Sequence, residues 1–208
     1  MQGIFITIEG PDGAGKTTQR ELLQTYLESK GYDVLITRDP GGNPISEEIR
    51  KVILNKDFTQ MGYMTELLLY AAARAQLVKE NIKPALDAGK AVIADRFVDS
   101  SAVYQGIGRG LGVDTVYKVN EFALQGVMPD MTFLMDLDAE VGIARKKNQA
   151  ELDRMENEKL EFHQKVVEGY RMLADMQPDR IIKIDASLPA DEIHGIIIKY
   201  VEKRLGIS

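Results

Sequence analysis

Short apolar runs alternate with longer amphipathic stretches along the chain. The apolar runs lie at residues 4–9 (IFITIE), 34–37 (VLIT), 91–95 (AVIAD), 131–136 (MTFLMD) and 181–185 (IIKID). Nearly continuous apolar runs of this length are typical of strands that are buried on both faces. Because helical patterns separate them, they predict a central five-stranded parallel sheet flanked by helices, an α/β sandwich of three layers.

The segments between the strands predict helices. They cover roughly residues 16–30, 45–54 and 64–88, then helices and a glycine-punctuated loop at 99–127, a long charged helical region to about 176, and a last helix that ends near 205. Residues 38–44 (RDPGGNP) predict a loop, because prolines and paired glycines disfavour regular structure. Without repeats or a linker, residues 1–208 are expected to form one domain.

Composition narrows the class of protein. The 208 residues are 44% hydrophobic and 28% charged, as in ordinary globular proteins. No stretch approaches the roughly 18 apolar residues of a membrane span, and we expect neither a membrane partner nor a secretory signal. The lack of cysteine excludes disulfides and thiolate zinc sites and fits a cytoplasmic location. A net charge of −6 makes nucleic acid a poor candidate partner.

A phosphate-binding loop follows the first strand. GPDGAGKT at residues 10–17 fits the pattern GxxxxGK[ST] and opens a helix, which is the context that favours a nucleotide site over a chance glycine turn. We expect Lys16 to reach the β- and γ-phosphates of ATP and the Thr17 hydroxyl to hold Mg²⁺. The candidate ATP-binding residues are Gly10, Asp12, Gly13, Ala14, Gly15, Lys16, Thr17 and Thr18.

Four arginines near the expected ligand edge indicate a second phosphate site. Arg38 and Arg96 follow strands, while Arg50 and Arg74 lie on predicted helices. The planar guanidinium donates paired hydrogen bonds to phosphate, although any one of these arginines could instead be a surface cation with a carboxylate neighbour. Tyr70 lies four residues before Arg74 and shares its helix face, so the pair could stack a planar base; the alternative is a core tyrosine.

Asp95 ends the apolar run AVIAD, at a position that suits a carboxylate acting on Mg²⁺ or on its bound water. Asp136 and Asp185 end similar runs and compete for the role. Asp95 is preferred because Arg96 is adjacent.

The motifs taken in order resemble the bacterial thymidylate kinase family over nearly the whole chain. They are GPDGAGKTT, RDPGG, TELLLYAAARAQ, DRF at 95–97, DSSAVYQGIGRG, PDMTFLMDLD at 129–138 and LDRME at 152–156. The resemblance implies phosphoryl transfer from ATP to dTMP with Mg²⁺, a homodimer and a mobile lid at about residues 145–159.

The resemblance also implies roles for individual residues. Arg38, Arg50 and Arg96 would hold the dTMP phosphate, and Tyr70 would stack on thymine beside Arg74. The family contacts the base at the positions of Ser101 and Gln105, crowds a ribose 2′-hydroxyl at Tyr104, and places Asp12 near the deoxyribose. Asp95 would organise Mg²⁺ water or the attacking phosphate.

Two positions depart from the family pattern, and so does the lid, which at residues 145–149 (RKKNQ) has lysines and amides where many bacterial relatives have repeated arginines. Asp39 replaces the glutamate of REPGG, which puts a direct metal or sugar contact in doubt. Gly13 stands where one branch of the family has a catalytic arginine, so we expect the lid to supply that cation. The lid candidates are Arg145, Lys147 and Arg154, although a solvated helix face with paired charges would have the same composition.

Three other readings of the chain stay open. A kinase for another nucleoside monophosphate or small molecule would share the phosphate-binding loop and the lid but would lack Tyr70 with Arg74. A switch or assembly ATPase would not need a second arginine cluster. A nucleotide-binding module without catalysis would need neither Asp95 nor a basic lid.

Overall fold

The computed structural model of the protein describes residues 3–146 and 152–207. In these ranges, five strands form one parallel sheet in the order β2-β3-β1-β4-β5. The strands are β1 (Ile4–Glu9), β2 (Val34–Arg38), β3 (Ala91–Asp95), β4 (Met131–Asp136) and β5 (Ile181–Asp185). The predicted parallel α/β sheet is therefore confirmed.

Helices connect the strands. They are α1 (Lys16–Ser29), α2 (Pro44–Leu54), α3 (Tyr63–Leu77), α4 (Lys83–Asp87), α5 (Val98–Ser101), α6 (Val113–Leu124), α7 (Ala139–Lys146), α8 (Leu160–Met176) and α9 (Ala190–Leu205). Among the described residues, none of these helices is long and apolar enough to cross a bilayer.

Two predicted helical regions contain π-helical turns that the sequence pattern did not indicate. The expected helix at 64–88 is broken by a π-helical turn, Val78–Ile82, which comes just before Pro84. Proline has no N–H for the α-helical hydrogen bond to the carbonyl of residue 80, so the wider turn is accommodated there. A second π turn, Ala102–Gly108, interrupts the region predicted at 99–127.

The charged region before residue 176 is also not one helix. Helix α7 runs to Lys146, residues 152–159 form turns and coil, and α8 begins at Leu160. Residues 147–151, which include the lid candidate Lys147, lie outside the described part of the chain.

The side chains of β1 divide the core into two layers. Ile4, Ile6 and Ile8 belong to the apolar cluster that α1 and α9 cover. Phe5 belongs to a separate cluster that includes Leu77 of α3. This alternation follows from the period of two in a strand and explains why β1 carries almost no polar residue before Glu9.

Parallel pairing brings the carboxyl ends of neighbouring strands to one edge. Ile8 pairs with Asp95, and Arg38 pairs with the same Asp95 from the other side. Ligands bind beyond this edge in open α/β sheets. The register therefore places the ends of β1, β2 and β3 together at the expected ligand edge.

A buried ion pair fastens α5 to the turn before β5. Asp99 is fully buried and accepts hydrogen bonds from Arg180 Nη1 at 2.7 Å and Nη2 at 2.8 Å. Thr132 and Tyr117 donate to the same carboxylate at 3.2 and 3.3 Å. Removing one partner of such a pair leaves the other charge buried without compensation.

We predict that Asp99→Ala lowers the free energy of unfolding by roughly 3–5 kcal/mol, because it strands the Arg180 charge. Urea unfolding followed by circular dichroism measures this loss. Asp175→Ala is the matched control: it breaks an exposed pair with Lys183, 3.0 Å apart, and should cost less than about 1 kcal/mol. Equal losses in the two variants would contradict the prediction.

Candidate active site

A cleft of about 730 Å³ opens at the carboxyl edge of the sheet. The predicted site residues that line it are Asp12, Gly13, Gly15, Lys16, Thr17, Thr18, Arg38, Asp39, Arg50, Tyr70, Arg74, Asp95, Arg96, Ser101, Tyr104, Gln105 and Arg145. Gly10, Ala14 and Arg154 were also predicted but are not among the lining residues. One cavity thus joins the phosphate-binding loop to the second arginine cluster.

The phosphate-binding loop depends on glycine at two positions. Gly13 has a φ of +78°, and a Cβ there would collide with the carbonyl oxygen of Gly142 in α7. Gly15, with a φ of +85°, is the N-cap residue of α1 and has no side chain that could bond to the first amides of the helix. The first amides of α1 are therefore left for an anion. The contact with Gly142 also excludes an arginine side chain at position 13 in this conformation.

Lys16 is held inside the loop. Its ammonium donates to the carbonyl of Pro11 at 2.8 Å and to that of Gly10 at 3.2 Å. Burial and the nearby charge of Arg96 lower the pKa of Lys16 to about 8, although Asp12 opposes the shift. A phosphate would favour the charged form of this lysine.

Asp12 draws three cations together. Its Oδ1 lies 2.9 Å from Arg96 Nη2, 3.7 Å from Lys146 Nζ and 3.9 Å from Lys16 Nζ. Burial raises the pKa of Asp12, but these three charges together hold it well below its ordinary value. The carboxylate therefore stays ionised at neutral pH and offsets the mutual repulsion of the cations.

The end of the cleft away from the phosphate-binding loop is built around Arg74, which is only 1% exposed. Its Nε donates to Asp39 Oδ2 at 2.5 Å and its Nη2 donates to Ser101 Oγ at 2.8 Å. Its Nη1 donates to Asn120 Oδ1. Burial raises the pKa of Asp39 above its ordinary value, and the charge of Arg74 opposes this rise. The buried guanidinium therefore stabilises the ionised form of the carboxylate. In this structure the Asp39 carboxylate accepts a hydrogen bond from the Arg74 guanidinium.

Three other predicted residues are held by protein groups. Arg38 pairs with Glu47 at 2.9 Å, and Arg50 donates to the carbonyl of Pro40 at 2.9 Å. Gln105 Nε2 donates to Glu66 Oε1 at 2.8 Å. These contacts set the side-chain directions before any ligand binds.

The lid candidates lie in different places. Arg145 donates to the carbonyls of Gly13 at 3.3 Å and Ala186 at 3.4 Å, beside the phosphate-binding loop. Arg154 points elsewhere: it pairs with the buried Glu66 at 2.7 Å and donates to the carbonyl of Ile53 at 2.8 Å. The sequence pattern could not separate the two, because it does not show which acceptor each arginine meets.

Sequence reasoning missed a second group of polar residues. Lys146 and Glu156 pair with each other and line the cleft. Ser100 lines it as well, and both Ser100 and Tyr170 contact Arg96. Ser100 lies in the motif DSSAVYQ, which could have pointed to it. Tyr170 lies in an amphipathic helix pattern, and nothing in that pattern marks it as a site residue.

Comparison with known proteins agrees with this geometry. The family model described as thymidylate kinase matches residues 8–197. A thymidylate kinase of Geobacillus sp. (strain WCH70) is 52% identical over 203 residues, which is 97% of each chain. One from Clostridium novyi (strain NT) is 50% identical over 194 residues, 92% of this chain and 95% of that protein.

A solved structure extends the likeness to three dimensions. The crystal structure of thymidylate kinase from Ehrlichia chaffeensis superposes with a TM-score of 0.78 at 33% identity, covering 97% of this chain and 99% of that one. The family model spans most of this chain, and the aligned relatives span nearly all of it. The chain belongs to the thymidylate kinase family.

Proposed function

We propose that this protein transfers the γ-phosphoryl group of ATP to the 5′-phosphate of dTMP and releases dTDP and ADP. The observation that carries the proposal is the single cleft that contains both the phosphate-binding loop and the pocket of Tyr70 and Arg74. The attacking phosphate is already a nucleophile, so the protein has mainly to align two anions and offset their charge. Membership of the family supports the same reaction.

The loop side of the cleft suits the ATP phosphates. The amides before α1 face the phosphates, and Lys16, already aimed at loop carbonyls, exchanges these contacts for phosphate oxygens. Arg145, held against Gly13, is the lid cation on this side. Lys146 is a second, because it reaches the carboxylate of Asp12.

The other side suits a thymine nucleotide. Tyr70 stacks on the base, and the guanidinium of Arg74 donates to its carbonyl edge beside Ser101. The ring of Tyr104 is packed under the guanidinium of Arg96, with 5.2 Å between Cζ and the ring centroid. A ring fixed in this way crowds a ribose 2′-hydroxyl and favours deoxynucleotides. Arg96, with Arg38 and Arg50, holds the monophosphate.

Magnesium fits the donor set. Thr17 and Asp95 line the cleft and offer oxygen ligands. In the described ranges no cluster of three or more His, Cys, Asp or Glu forms a metal cage. Mg²⁺ commonly binds through one or two protein oxygens together with substrate phosphates and water, so this set is sufficient. When bound, the ion would neutralise charge on the transferring phosphoryl group.

We further propose that the enzyme is cytoplasmic, where its nucleotide substrates are made and used, and that it is a homodimer. Three packed helices each expose apolar side chains: α2 exposes Ile45, α3 exposes Leu68 and α6 exposes Phe122, which is 87% accessible. Apolar exposure of this kind favours a protein interface. We infer that a second copy covers this face.

The acceptor profile tests the reaction. We predict that ADP release, followed by a coupled assay, is fastest with dTMP and slower with dUMP, dCMP, UMP and the ribonucleotide of thymine. The pocket of Tyr70 and Arg74 is the physical reason. Activity spread evenly over these acceptors would favour a broader kinase, and ATP binding without acceptor-dependent turnover would exclude a kinase.

A substitution tests the phosphate clamp, which consists of Arg96 with Arg38 and Arg50. We predict that Arg96→Ala lowers kcat/KM for dTMP by roughly 100-fold or more, the scale expected for a donor that stabilises the transferring group. The melting temperature should change far less than activity does. The matched control is Arg204→Ala on α9, which removes an exposed pair with Asp130 and should leave turnover unchanged. A loss of stability equal to the loss of activity would make Arg96 structural.

The oligomeric state has its own test. We predict a sedimenting mass of twice the 23.2 kDa of one chain, and a shift to monomer for Leu68→Glu because the charge would be buried in the interface. Met176→Glu, at a residue 65% exposed on α8, is the control that should stay dimeric. A wild-type monomer would refute the interface.

A further inference from the structure

Glu9 carries a buried carboxylate that the reaction described above does not use. It ends β1, is fully buried and is not among the residues that line the cleft. Its Oε1 accepts from the backbone N–H of Phe97 at 2.7 Å. Its Oε2 accepts from the hydroxyls of Ser100 at 2.6 Å and Tyr170 at 2.8 Å. A charge buried this deeply is costly and persists when the surrounding donors require it.

The same two hydroxyls contact the phosphate clamp. Arg96 Nη1 donates to Tyr170 Oη at 3.0 Å and to Ser100 Oγ at 3.2 Å. A hydroxyl has one hydrogen and two lone pairs. When its hydrogen points towards Glu9 or towards the other hydroxyl, its lone pairs remain for Arg96. An acceptor behind the hydroxyls that brings at most one hydrogen of its own therefore leaves both of them as acceptors for the guanidinium.

Glu9 also holds the backbone at Arg96. This residue has a φ of +67°, in the left-handed region that costs energy for any residue except glycine. The N–H of Arg96 donates to the carbonyl of Ile8 at 3.1 Å, and the next N–H, that of Phe97, donates to Glu9. The end of β1 thus holds two successive amides and stabilises the unusual turn.

We propose that Glu9 is the positioning residue for Arg96: it fixes the backbone turn through Phe97 and the guanidinium through Ser100 and Tyr170. Glu9 acts without touching either nucleotide. The inference deepens the proposed function and rests on the role given there to Arg96. It identifies which buried group keeps the phosphate clamp in place before dTMP arrives.

The charge on Glu9 responds to pH near neutrality. Burial and the nearby charge of Asp99 raise the pKa of Glu9 to about 7, although Arg96 opposes the rise. The titratable and charged groups that act on Glu9 or are acted on by it are Asp99 of α5, Arg96, Tyr170 of α8, Lys16 of α1 and Arg180. Above pH 7 the anion is present, and as the pH falls the anionic acceptor is lost.

Glu9→Gln tests the proposal because it keeps the size of the side chain and replaces one acceptor oxygen with an NH₂ group that donates. With its oxygen on the N–H of Phe97, the amide brings two hydrogens to the hydroxyls. The three contacts are those between the amide and Ser100, between the amide and Tyr170, and between the two hydroxyls. The amide and the two hydroxyls together supply four hydrogens for these three contacts. The surplus hydrogen turns towards Arg96, which is itself a donor. We expect kcat/KM for dTMP to fall about 10- to 100-fold, with KM for ATP nearly unchanged.

A double-mutant cycle separates positioning from a structural role. In an Arg96→Ala background, Glu9→Gln should change kcat/KM by less than about 2-fold, because the group through which it acts is gone. Losses that multiply would overturn the proposal. If Glu9→Gln does not fold, Tyr170→Phe replaces it in the same cycle with the same criterion. A wild-type enzyme inactive on dTMP, or unaffected by Arg96→Ala, would instead refute the proposed function.

Two further measurements complete the test. The ratio of wild-type to Glu9→Gln kcat/KM should be larger at pH 8 than at pH 6, because the Glu9 carboxylate is ionised mainly at the higher pH and the ionisation of dTMP affects both enzymes alike; a ratio that does not change with pH would refute the role of the charge. The melting temperature of Glu9→Gln at pH 8 should not fall in proportion to activity, since folding penalises the ionised carboxylate and not the neutral amide. Glu202→Gln is the matched control: Glu202 accepts the hydroxyl of Tyr26 at 2.7 Å on the far helix α9, and activity should be retained.

Discussion

The structure depends on holding like charges together before their ligands arrive. Arg96, Lys16 and Lys146 all approach the single carboxylate of Asp12, within 2.9 to 3.9 Å. In a partly dry cleft their repulsion is strong, and an unpaired cation there would move out towards water. Asp12 at the front and Glu9 behind supply the negative charge that keeps the cluster assembled. Incoming phosphates then meet cations that need little reorganisation.

The pocket around Arg74 also depends on an arginine that protein groups hold in place. Arg74 is as buried as the apolar core, and Asp39, Ser101 and Asn120 engage its guanidinium. Phe97 links the two ends of the site, since its N–H donates to Glu9 while its carbonyl accepts from Arg74 at 3.4 Å. The turn after β3 therefore contacts both Glu9 and Arg74, and it lies between the two arginine sites.

The fold was largely predictable because its signals are local. Each strand is a short apolar run, and the glycines and lysine of the phosphate-binding loop follow β1 directly in sequence. The errors arose where a local pattern competes with packing. The helix pattern of 64–88 does not show that the chain widens into a π turn before Pro84. The charged pattern before α8 does not show that residues 152–159 leave the helix, where Arg154 turns to a buried partner, Glu66.

By itself, the sequence determined the order of strands and helices, the phosphate-binding loop and the set of arginines available for a second anion, because residue type and spacing along the chain encode all three. Only the tertiary structure decided which partners the charged side chains meet. Glu9 and Tyr170 are 161 residues apart, and Arg74 and Asn120 are 46 apart. Such contacts depend on parallel strand register and helix packing, which bring distant segments to one sheet edge, and no periodicity within either segment specifies them.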